Sequence, residues 1–309
     1  MDRRGLRPFL KWVGGKRQLL PALRRFCPAS IGTYFEPFLG SGAVFFDLAS
    51  HGRLDTAVLS DANPDLIGCY HRVRDALDQV IAELERLAAG HAAAGGEHYL
   101  RVRNERFNPQ RAAWRADGAL LDRYPPELAA MVIYLNRTGY NGLYRLNASG
   151  NFNVPPGRYD RPRIVNRPAL EAAARTLAAP RVVLRCEPFE EVLREPVAGD
   201  FVYLDPPYAP MSNTANFRGY TGRGFNDTDQ QRLQRIVVAL AERGVNVLLS
   251  NSTAPAVTRL YDDHPSVVSA GLKTWRVPAR RAVNVNPSGR GAVEELIVSN
   301  ITPHGALQP

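Results

Sequence analysis

The sequence has few of the side chains from which metal centres and disulfide frameworks are built. Its 309 residues include three cysteines, Cys27, Cys69 and Cys186, none in a Cys-x-x-Cys pair or beside a histidine. This spacing indicates neither zinc nor disulfides and is typical of a reducing compartment. The six histidines lie outside the motifs that carry chemistry, which argues against a histidine-based triad. We therefore expect no metal site.

Long apolar runs are also missing. No run approaches the ~18 residues that a membrane-spanning helix needs, and the amino terminus has no signal-peptide pattern. We therefore expect a soluble cytoplasmic protein without a membrane partner. The apolar content of 45% is ample for one large α/β domain or two smaller ones.

Lysine is rare in a chain that is otherwise basic. The formal net charge is +9, yet only three of the 39 basic residues are lysines. The positive balance suits a polyanionic partner such as DNA. Two of the lysines, Lys11 and Lys16, fall within six residues of each other. This favours a point-like ammonium there over the planar fork of arginine.

The most informative motif is Asp205-Pro206-Pro207-Tyr208, which follows the apolar run 201–204. The run predicts a buried strand, and the prolines end it because neither can donate a ladder hydrogen bond. Open α/β sheets bind ligands at the carboxyl ends of their strands. There, Asp205 and the Pro206 carbonyl can accept hydrogen bonds from an exocyclic amine, and Tyr208 offers a flat face for a planar base. A Pro-Pro turn with a capping aspartate is the simpler alternative.

A second motif, Glu-Pro-Phe-x-Gly-x-Gly at residues 36–42, lies between a predicted strand and an apolar helix. Gly40 and Gly42 let the backbone approach a bound molecule closely, although a Gly-Ser-Gly alone is usually a turn. Asp61 ends the next predicted strand. In nucleoside-binding folds, a carboxylate at this position accepts hydrogen bonds from the ribose hydroxyls of the ligand. The full dinucleotide fingerprint is absent, so the pattern fits a cofactor without a pyrophosphate.

The remaining periodicities predict one sheet domain, residues 1–65 and 166–309, interrupted by a helical insertion at 66–165. The segments after the insertion that we expect to be sheet-like are 181–185, 201–204, 245–250, 267–269 and 294–299. The segments with helical spacing or composition are 66–87, 97–106 and 127–135. Residues 92–96 predict a surface linker, and 136–159, rich in Asn, Gly, Arg and aromatics, predict loops and a hairpin.

Four blocks in this order resemble the Dam-type DNA adenine N6-methyltransferases (D12 class, alpha group). The blocks are residues 9–16, 36–42, 136–145 running on to 152–159, and 205–217. The similarity spans roughly residues 8 to 300. It implies a Rossmann-like S-adenosylmethionine-dependent methyltransferase sheet in which the insertion reads the DNA target.

The resemblance also implies a role for each matched residue. The catalytic residues would be Asp205, Pro206, Pro207 and Tyr208. The residues around S-adenosylmethionine would be Trp12, Lys16, Glu36, Pro37, Phe38, Gly40, Gly42, Asp61, Phe189 and Asp205. Asp61 would take the ribose, while Trp12 and Lys16 would lie near the methionine end and Phe189 beside the adenine. The DNA-binding residues would be Arg137, Tyr140, Asn141, Leu143, Arg145, Asn153, Pro155 and Tyr159.

The segment 136–159 has two interpretations. Asparagine reads adenine edges, arginine reads guanine and aromatic residues wedge between base steps. From composition alone an ordinary polar hairpin is favoured, whereas the resemblance favours contact with double-stranded DNA at a GATC-like target. Pro156 replaces the phenylalanine usual in the family's Val-Pro-Phe-Gly-Arg-Tyr pattern.

The predicted function is therefore site-specific methylation of adenine N6 in duplex DNA, on a base flipped out of the helix. We expect a monomer, from a bacterium or a phage, with or without a partner endonuclease. Another amine methyltransferase, acting on cytosine N4, RNA or a protein glutamine, is one alternative. Serine usually replaces Asp205 in the cytosine N4 enzymes and asparagine in the glutamine enzymes, which disfavours both. A DNA-binding protein with degenerate catalysis is the other alternative, disfavoured by the intact motifs.

Overall fold

The computed structural model describes residues 6–12, 14–208, 225–280 and 292–305. Val13 of the first sequence block and residues 209–217 of the fourth lie outside the described residues. Within these ranges, no helix is both long enough and apolar enough to cross a membrane.

A seven-stranded sheet forms the centre of the protein, in the order β3-β2-β1-β4-β5-β7-β6. The strands are β1 (Thr33–Glu36), β2 (Thr56–Ser60), β3 (Val182–Arg185), β4 (Phe201–Leu204), β5 (Asn246–Ser252), β6 (Lys273–Arg280) and β7 (Ala292–Ser299). Strands β1 to β5 pair in parallel, and β7 runs antiparallel to its neighbours β5 and β6. The strand order reverses between β1 and β4, which opens a crevice at their carboxyl ends. This mostly parallel sheet confirms the predicted α/β fold class.

Eleven α-helices lie among the described residues. They are α1 (Leu20–Leu23), α2 (Ala43–Ser50), α3 (Pro64–Asp75), α4 (Leu77–Arg101), α5 (Asn108–Ala116), α6 (Pro126–Thr138), α7 (Arg167–Leu177), α8 (Phe189–Val192), α9 (Asp227–Glu242), α10 (Pro255–Tyr261) and α11 (Pro265–Ser269). A π-helical segment, Val102–Phe107, joins α4 to α5. The side chain of Asn63 caps α3 by accepting hydrogen bonds from the backbone N–H groups of Asp65 and Leu66.

The helical spacing predicted over 66–87 is confirmed, and Ala76 (φ −141°, ψ 39°) divides the segment into α3 and α4. Residues 92–96 were predicted to be a linker but are helical apart from Gly95, whose backbone is not helical (φ 47°, ψ −124°). Two helices therefore meet at a kink at Gly95 within α4, and alanine, the best helix former, favours helix at 92–94.

The sheet differs from prediction at one segment and one strand. Residues 267–269 were predicted to be sheet-like but belong to α11, which Pro265 opens. Three β-branched or small residues are too short a run to distinguish strand from helix. Strand β6 was not predicted, because it mixes charged and apolar residues and contains Pro278. It lies at the edge of the sheet, where a strand tolerates proline.

Alternating side chains of the parallel strands feed two apolar cores, one on each face of the sheet. Tyr34 and Tyr203 belong to the core that also contains buried residues of α2 to α7. Phe35 and Val202 belong to the core packed against α8, α9 and α10. The helices of residues 66–165 share the first core with the sheet, so the division into a cofactor-binding and a target-recognition domain stays a prediction.

Candidate active site

The carboxyl ends of β1, β2 and β4 bring together three acidic residues that are far apart in the sequence. Glu36 ends β1, Asp61 follows β2 and Asp205 follows β4. Lys16, from the amino-terminal block, reaches the same crevice. Its Nζ lies 2.8 Å from Asp205 Oδ1. The structure thus brings three of the four sequence blocks together between β1 and β4, where the strand order reverses. We call this the switch point of the sheet.

The surroundings of Asp205 shift its pKa and orient its carboxylate. Burial raises the pKa of Asp205 to about 6, while the ammonium of Lys16 lowers it and Glu295 raises it. The hydroxyl of Ser250 donates a hydrogen bond to Oδ1 at 3.3 Å. Tyr203 lies behind it, with its hydroxyl 2.9 Å from Ser250 Oγ. The carboxylate is therefore charged at neutral pH and oriented by two neighbours.

Lys16 lies at the centre of the site and is only 4% exposed. Besides pairing with Asp205, its Nζ donates to the carbonyl of Gly14 at 2.9 Å. The same nitrogen lies 4.5 Å from the centre of the Tyr208 ring, a cation–π distance. It is 3.8 Å from Glu295 Oε2. A compact ammonium can serve partners in several directions, which fits the sequence argument for lysine here.

The rest of the Asp-Pro-Pro-Tyr motif is held by side chains that the sequence analysis did not identify. The hydroxyl of Tyr208 donates a hydrogen bond to Glu295 Oε2 at 2.6 Å. Gln230 of α9 donates to the carbonyl of Pro207 at 3.3 Å, and Pro206 is buried. Glu295 and Gln230 lie in a strand and a helix with no local motif, so only the fold places them here.

The glycine loop after β1 contains two residues with left-handed backbone angles. Gly40 (φ 48°) and Gly42 (φ 64°) are both left-handed, which side chains disfavour. A Cβ on Gly40 would lie 3.0 Å from Trp12 Cδ1. The loop therefore packs against Trp12, and Pro37 is buried beneath it. This is a backbone cradle at the amino end of α2.

Asp61 holds the same loop from the adjacent strand. Its two carboxylate oxygens accept from the backbone N–H of Gly40 at 3.1 Å and of Asn63 at 2.9 Å. Burial raises the pKa of Asp61 to about 6. Each oxygen has a further lone pair, which can accept from a ligand hydroxyl. Asp61 and the glycines therefore line one side of the crevice.

Glu36 has a supporting position behind the loop. It is 2% exposed, and its Oε2 accepts from the Tyr34 hydroxyl at 2.8 Å and from the Phe45 N–H at 3.1 Å. Burial raises the pKa of Glu36 to about 8, and the charges of Asp205 and Asp61 add to the rise. Glu36 thus ties β1 to the first turn of α2.

Three phenylalanines form an aromatic wall beside the crevice. The ring centres of Phe38 and Phe189 are 5.2 Å apart, and that of Phe225 lies 5.8 Å from each. Sequence analysis placed Phe38 and Phe189 at the cofactor but missed Phe225, which follows an undescribed segment. Such a wall can pack against a flat ring.

Residues 139–159 form the predicted loops and hairpin, whereas residues 136–138 are the last residues of α6. Isolated antiparallel bridges join Gly139 to Pro156 and Leu146 to Phe152. The side chain of Asn136 accepts from Lys11 N at 2.7 Å and donates to the carbonyls of Lys11 and Gly142, both at 2.9 Å. The amino-terminal block is therefore pinned to the Tyr-Asn-Gly-Leu turn.

The residues of this segment that the resemblance assigns to DNA differ in exposure. Those at the surface are Tyr140, Arg145 and Pro155, and those partly exposed are Asn141, Leu143, Asn153 and Tyr159. Arg145 Nε donates to Asn153 Oδ1 at 2.8 Å, and Lys11 Nζ donates to the Tyr159 hydroxyl at 2.8 Å. Arg137 is half-buried, and two of its nitrogens donate to the Phe9 carbonyl. Its guanidinium thus braces the amino-terminal block.

A buried polar cluster, absent from the sequence analysis, supports the hairpin from below. Asp65 at the start of α3 is fully buried and accepts from Arg111 Nε at 2.5 Å and from the hydroxyls of Tyr124 and Tyr144. Arg111 Nη1 in turn donates to the Gly150 carbonyl in the hairpin turn at 2.6 Å. The cluster connects the segment after Asp61 with the hairpin.

Comparison with known proteins shows the family of this chain. The family model of the D12 class N6 adenine-specific DNA methyltransferases matches residues 12–276. The chain is 38% identical over 295 residues to the Type II methyltransferase M1.LlaDCHI of Lactococcus lactis subsp. cremoris, covering 96% of this chain and 95% of that one. It is 36% identical to the Type II methyltransferase M.MjaIII of Methanocaldococcus jannaschii, over 96% and 99% of the two chains. It is 33% identical to the DNA adenine methylase of Escherichia coli K12, over 94% of each chain. The chain therefore belongs to the D12 class of N6 adenine-specific DNA methyltransferases.

Proposed function

We propose that this chain transfers a methyl group from S-adenosylmethionine to N6 of an adenine in double-stranded DNA, within GATC or a closely similar sequence. The observation that carries the proposal is the Asp205–Lys16 pair at 2.8 Å, with Tyr208 beside it, at the switch point of the sheet. The names of several relatives, DNA adenine methylase, support adenine as the target.

The groups that line the crevice suit S-adenosylmethionine. Gly40 and Gly42 turn the loop with left-handed backbone angles, Asp61 can accept from ribose hydroxyls, and Phe38 and Phe189 can pack on an adenine ring. When bound, the cofactor would supply an electrophilic methyl group on a sulfonium. The carboxylates of Asp61 and Asp205 favour that positive charge.

The residues of the acceptor site would orient the adenine amine. Asp205 and the Pro206 carbonyl would accept the two N6–H hydrogens, which frees the nitrogen lone pair. Lys16 keeps Asp205 ionised near neutral pH, where its pKa of about 6 would otherwise be higher. Positioning and electrostatics would then supply most of the rate enhancement.

Adenine N6 is unreachable inside a duplex, so the base must leave the stack. Tyr208 offers the face that receives it. The hairpin would hold the duplex, with the exposed residues Tyr140 and Arg145 against the bases.

The test is methyl transfer to defined duplexes. The protein is incubated with S-adenosylmethionine labelled in its methyl group and with duplexes carrying GATC or each single-base variant, and the labelled nucleoside is identified. We expect N6-methyladenine, mainly in GATC. Asp205→Ala should abolish transfer without weakening duplex binding, whereas Asp227→Ala, an exposed residue of α9, should be unaffected.

Each alternative has its own outcome. Labelled N4-methylcytosine, or equal labelling of RNA, would refute the proposed chemistry. Equal labelling of all adenine-containing duplexes would refute the GATC target alone. Activity of Asp205→Ala within about tenfold of wild type would refute the role of this carboxylate, since loss of a hydrogen bond to a charged group corresponds to ~10- to 100-fold.

A further inference from the structure

We propose that Glu295 is a positioning residue of the acceptor site, which fixes the Tyr208 ring by accepting a hydrogen bond from its hydroxyl. The inference rests on the proposed function, because it concerns how that site receives the target base. It assigns a role to a residue of β7, a strand that the sequence motifs do not include.

Glu295 reaches the crevice from the start of an antiparallel strand, β7. It pairs with Ser252, the last residue of β5, and β7 runs antiparallel to β5. The start of β7 therefore lies at the same edge of the sheet as the carboxyl ends of the parallel strands. Its neighbour Glu294 is exposed, whereas the Glu295 side chain is 18% exposed. Successive side chains of a strand alternate between faces, so only one of the two acids can face the site.

The hydroxyl of Tyr208 is the strongest partner of Glu295. It donates to Oε2 at 2.6 Å. Burial, together with the charges of Asp205 and Glu295, raises the pKa of Tyr208 well above its usual range. The phenol therefore stays protonated and remains a donor to Glu295.

Lys16 restrains the Tyr208 ring from one of its faces. Its ammonium lies over one face of Tyr208, 4.5 Å from the ring centre, and is 3.8 Å from Glu295 Oε2. A tyrosine side chain has two rotatable bonds, and a partner at the hydroxyl together with a cation on one face restrains both. A base can then stack only on the opposite face. Glu295 thereby orients the stacking surface relative to Asp205.

The experiment compares Glu295→Ala, Glu295→Gln, Tyr208→Phe and the double variant Glu295→Ala/Tyr208→Phe. Glu294→Ala is the matched control, since it removes the same charge one residue away. Three quantities are measured: the single-turnover methylation rate, the fluorescence of 2-aminopurine at the target position on duplex binding, and the Kd of S-adenosylmethionine. An unchanged Kd also shows that each variant is folded.

We expect Glu295→Ala and Tyr208→Phe each to slow methylation by about 10- to 100-fold, the effect of losing a hydrogen bond to a charged group. Both should reduce the 2-aminopurine signal and leave the cofactor Kd within about threefold. The double variant should be no slower than either single variant, because the two residues act through one contact. Glu295→Gln keeps an acceptor oxygen and should retain most of the rate.

Additive losses in the double variant, or a Glu295→Gln variant as slow as Glu295→Ala, would overturn the positioning role. Wild-type rate and fluorescence in Glu295→Ala would do so as well. The proposed function is tested separately by the wild type. A wild type that raises 2-aminopurine fluorescence but methylates no adenine would refute the proposed function, while the fluorescence of the variants would still decide the role of Glu295.

Discussion

The buried carboxyl of Glu36 should give the fold a pH dependence that one substitution removes. Its Oε2 accepts from the Tyr34 hydroxyl and the Phe45 N–H, and the side chain is 2% exposed. Burial is the main cause that raises its pKa from the ordinary 4.5 to about 8. Glu36 is therefore neutral in the folded protein at pH 7 and ionised in the unfolded chain.

The sign of the effect follows from this difference. Because the folded pKa is the higher one, the contribution to stability is complete below pH 4.5 and is lost as the pH rises towards 8. Within this window each pH unit corresponds to ~1.4 kcal/mol. Because the slope falls by half as the pH reaches the folded pKa, the wild type should lose about 2 kcal/mol of unfolding free energy through this group between pH 6 and pH 8.

The assay is urea unfolding followed by circular dichroism at pH 6, 7 and 8, at constant ionic strength. Glu36→Gln keeps an acceptor oxygen for Tyr34 and Phe45 but cannot ionise, so its stability should fall less with pH. Other titrating groups contribute to both proteins and cancel in the comparison. Glu242→Gln, at an exposed position, should retain the wild-type slope. Parallel curves for wild type and Glu36→Gln would refute the reasoning.

Three further predictions concern ligands and the hairpin. Asp61→Asn should weaken S-adenosylmethionine binding by ~1.5–3 kcal/mol with little effect on DNA binding. Binding of the cofactor to the wild type should also weaken below about pH 6, where this carboxylate protonates. Calorimetry that shows no change in cofactor binding would contradict the ribose assignment. Arg145→Ala should cost ~1–3 kcal/mol and relax discrimination at one base pair, whereas uniform loss over all single-base variants of GATC would assign the side chain to phosphate. Gly142→Ala should destabilise the turn and raise the KM for DNA, because φ is +68° and a Cβ would lie 2.2 Å from the Lys11 carbonyl oxygen. Gly118→Ala, with φ +87° and nothing within 4 Å, should lower stability without raising that KM; equal KM values for the two variants would contradict the contact.

The residues of the crevice were largely predictable because each lies beside a strand end with a local signature. Two prolines after an apolar run end β4 just before Asp205, and glycines at 40 and 42 permit the turn after β1. Such signals depend on backbone chemistry within a few residues. The segment 267–269 misled the analysis for the same reason, since local composition there fits a strand and Pro265 begins a helix instead.

The sequence by itself determined which groups the candidate site contains: a carboxylate, a proline carbonyl and an aromatic ring at a strand end, beside a glycine loop. The tertiary structure alone decided what supports that chemistry. Glu295 reaches Tyr208 across 87 positions of sequence, and Arg111 reaches Asp65 across 46. Neither contact has a signature in the local sequence. A charged residue in a strand or helix is predicted to be solvent-exposed, and only the packing of distant elements buries it beside a partner.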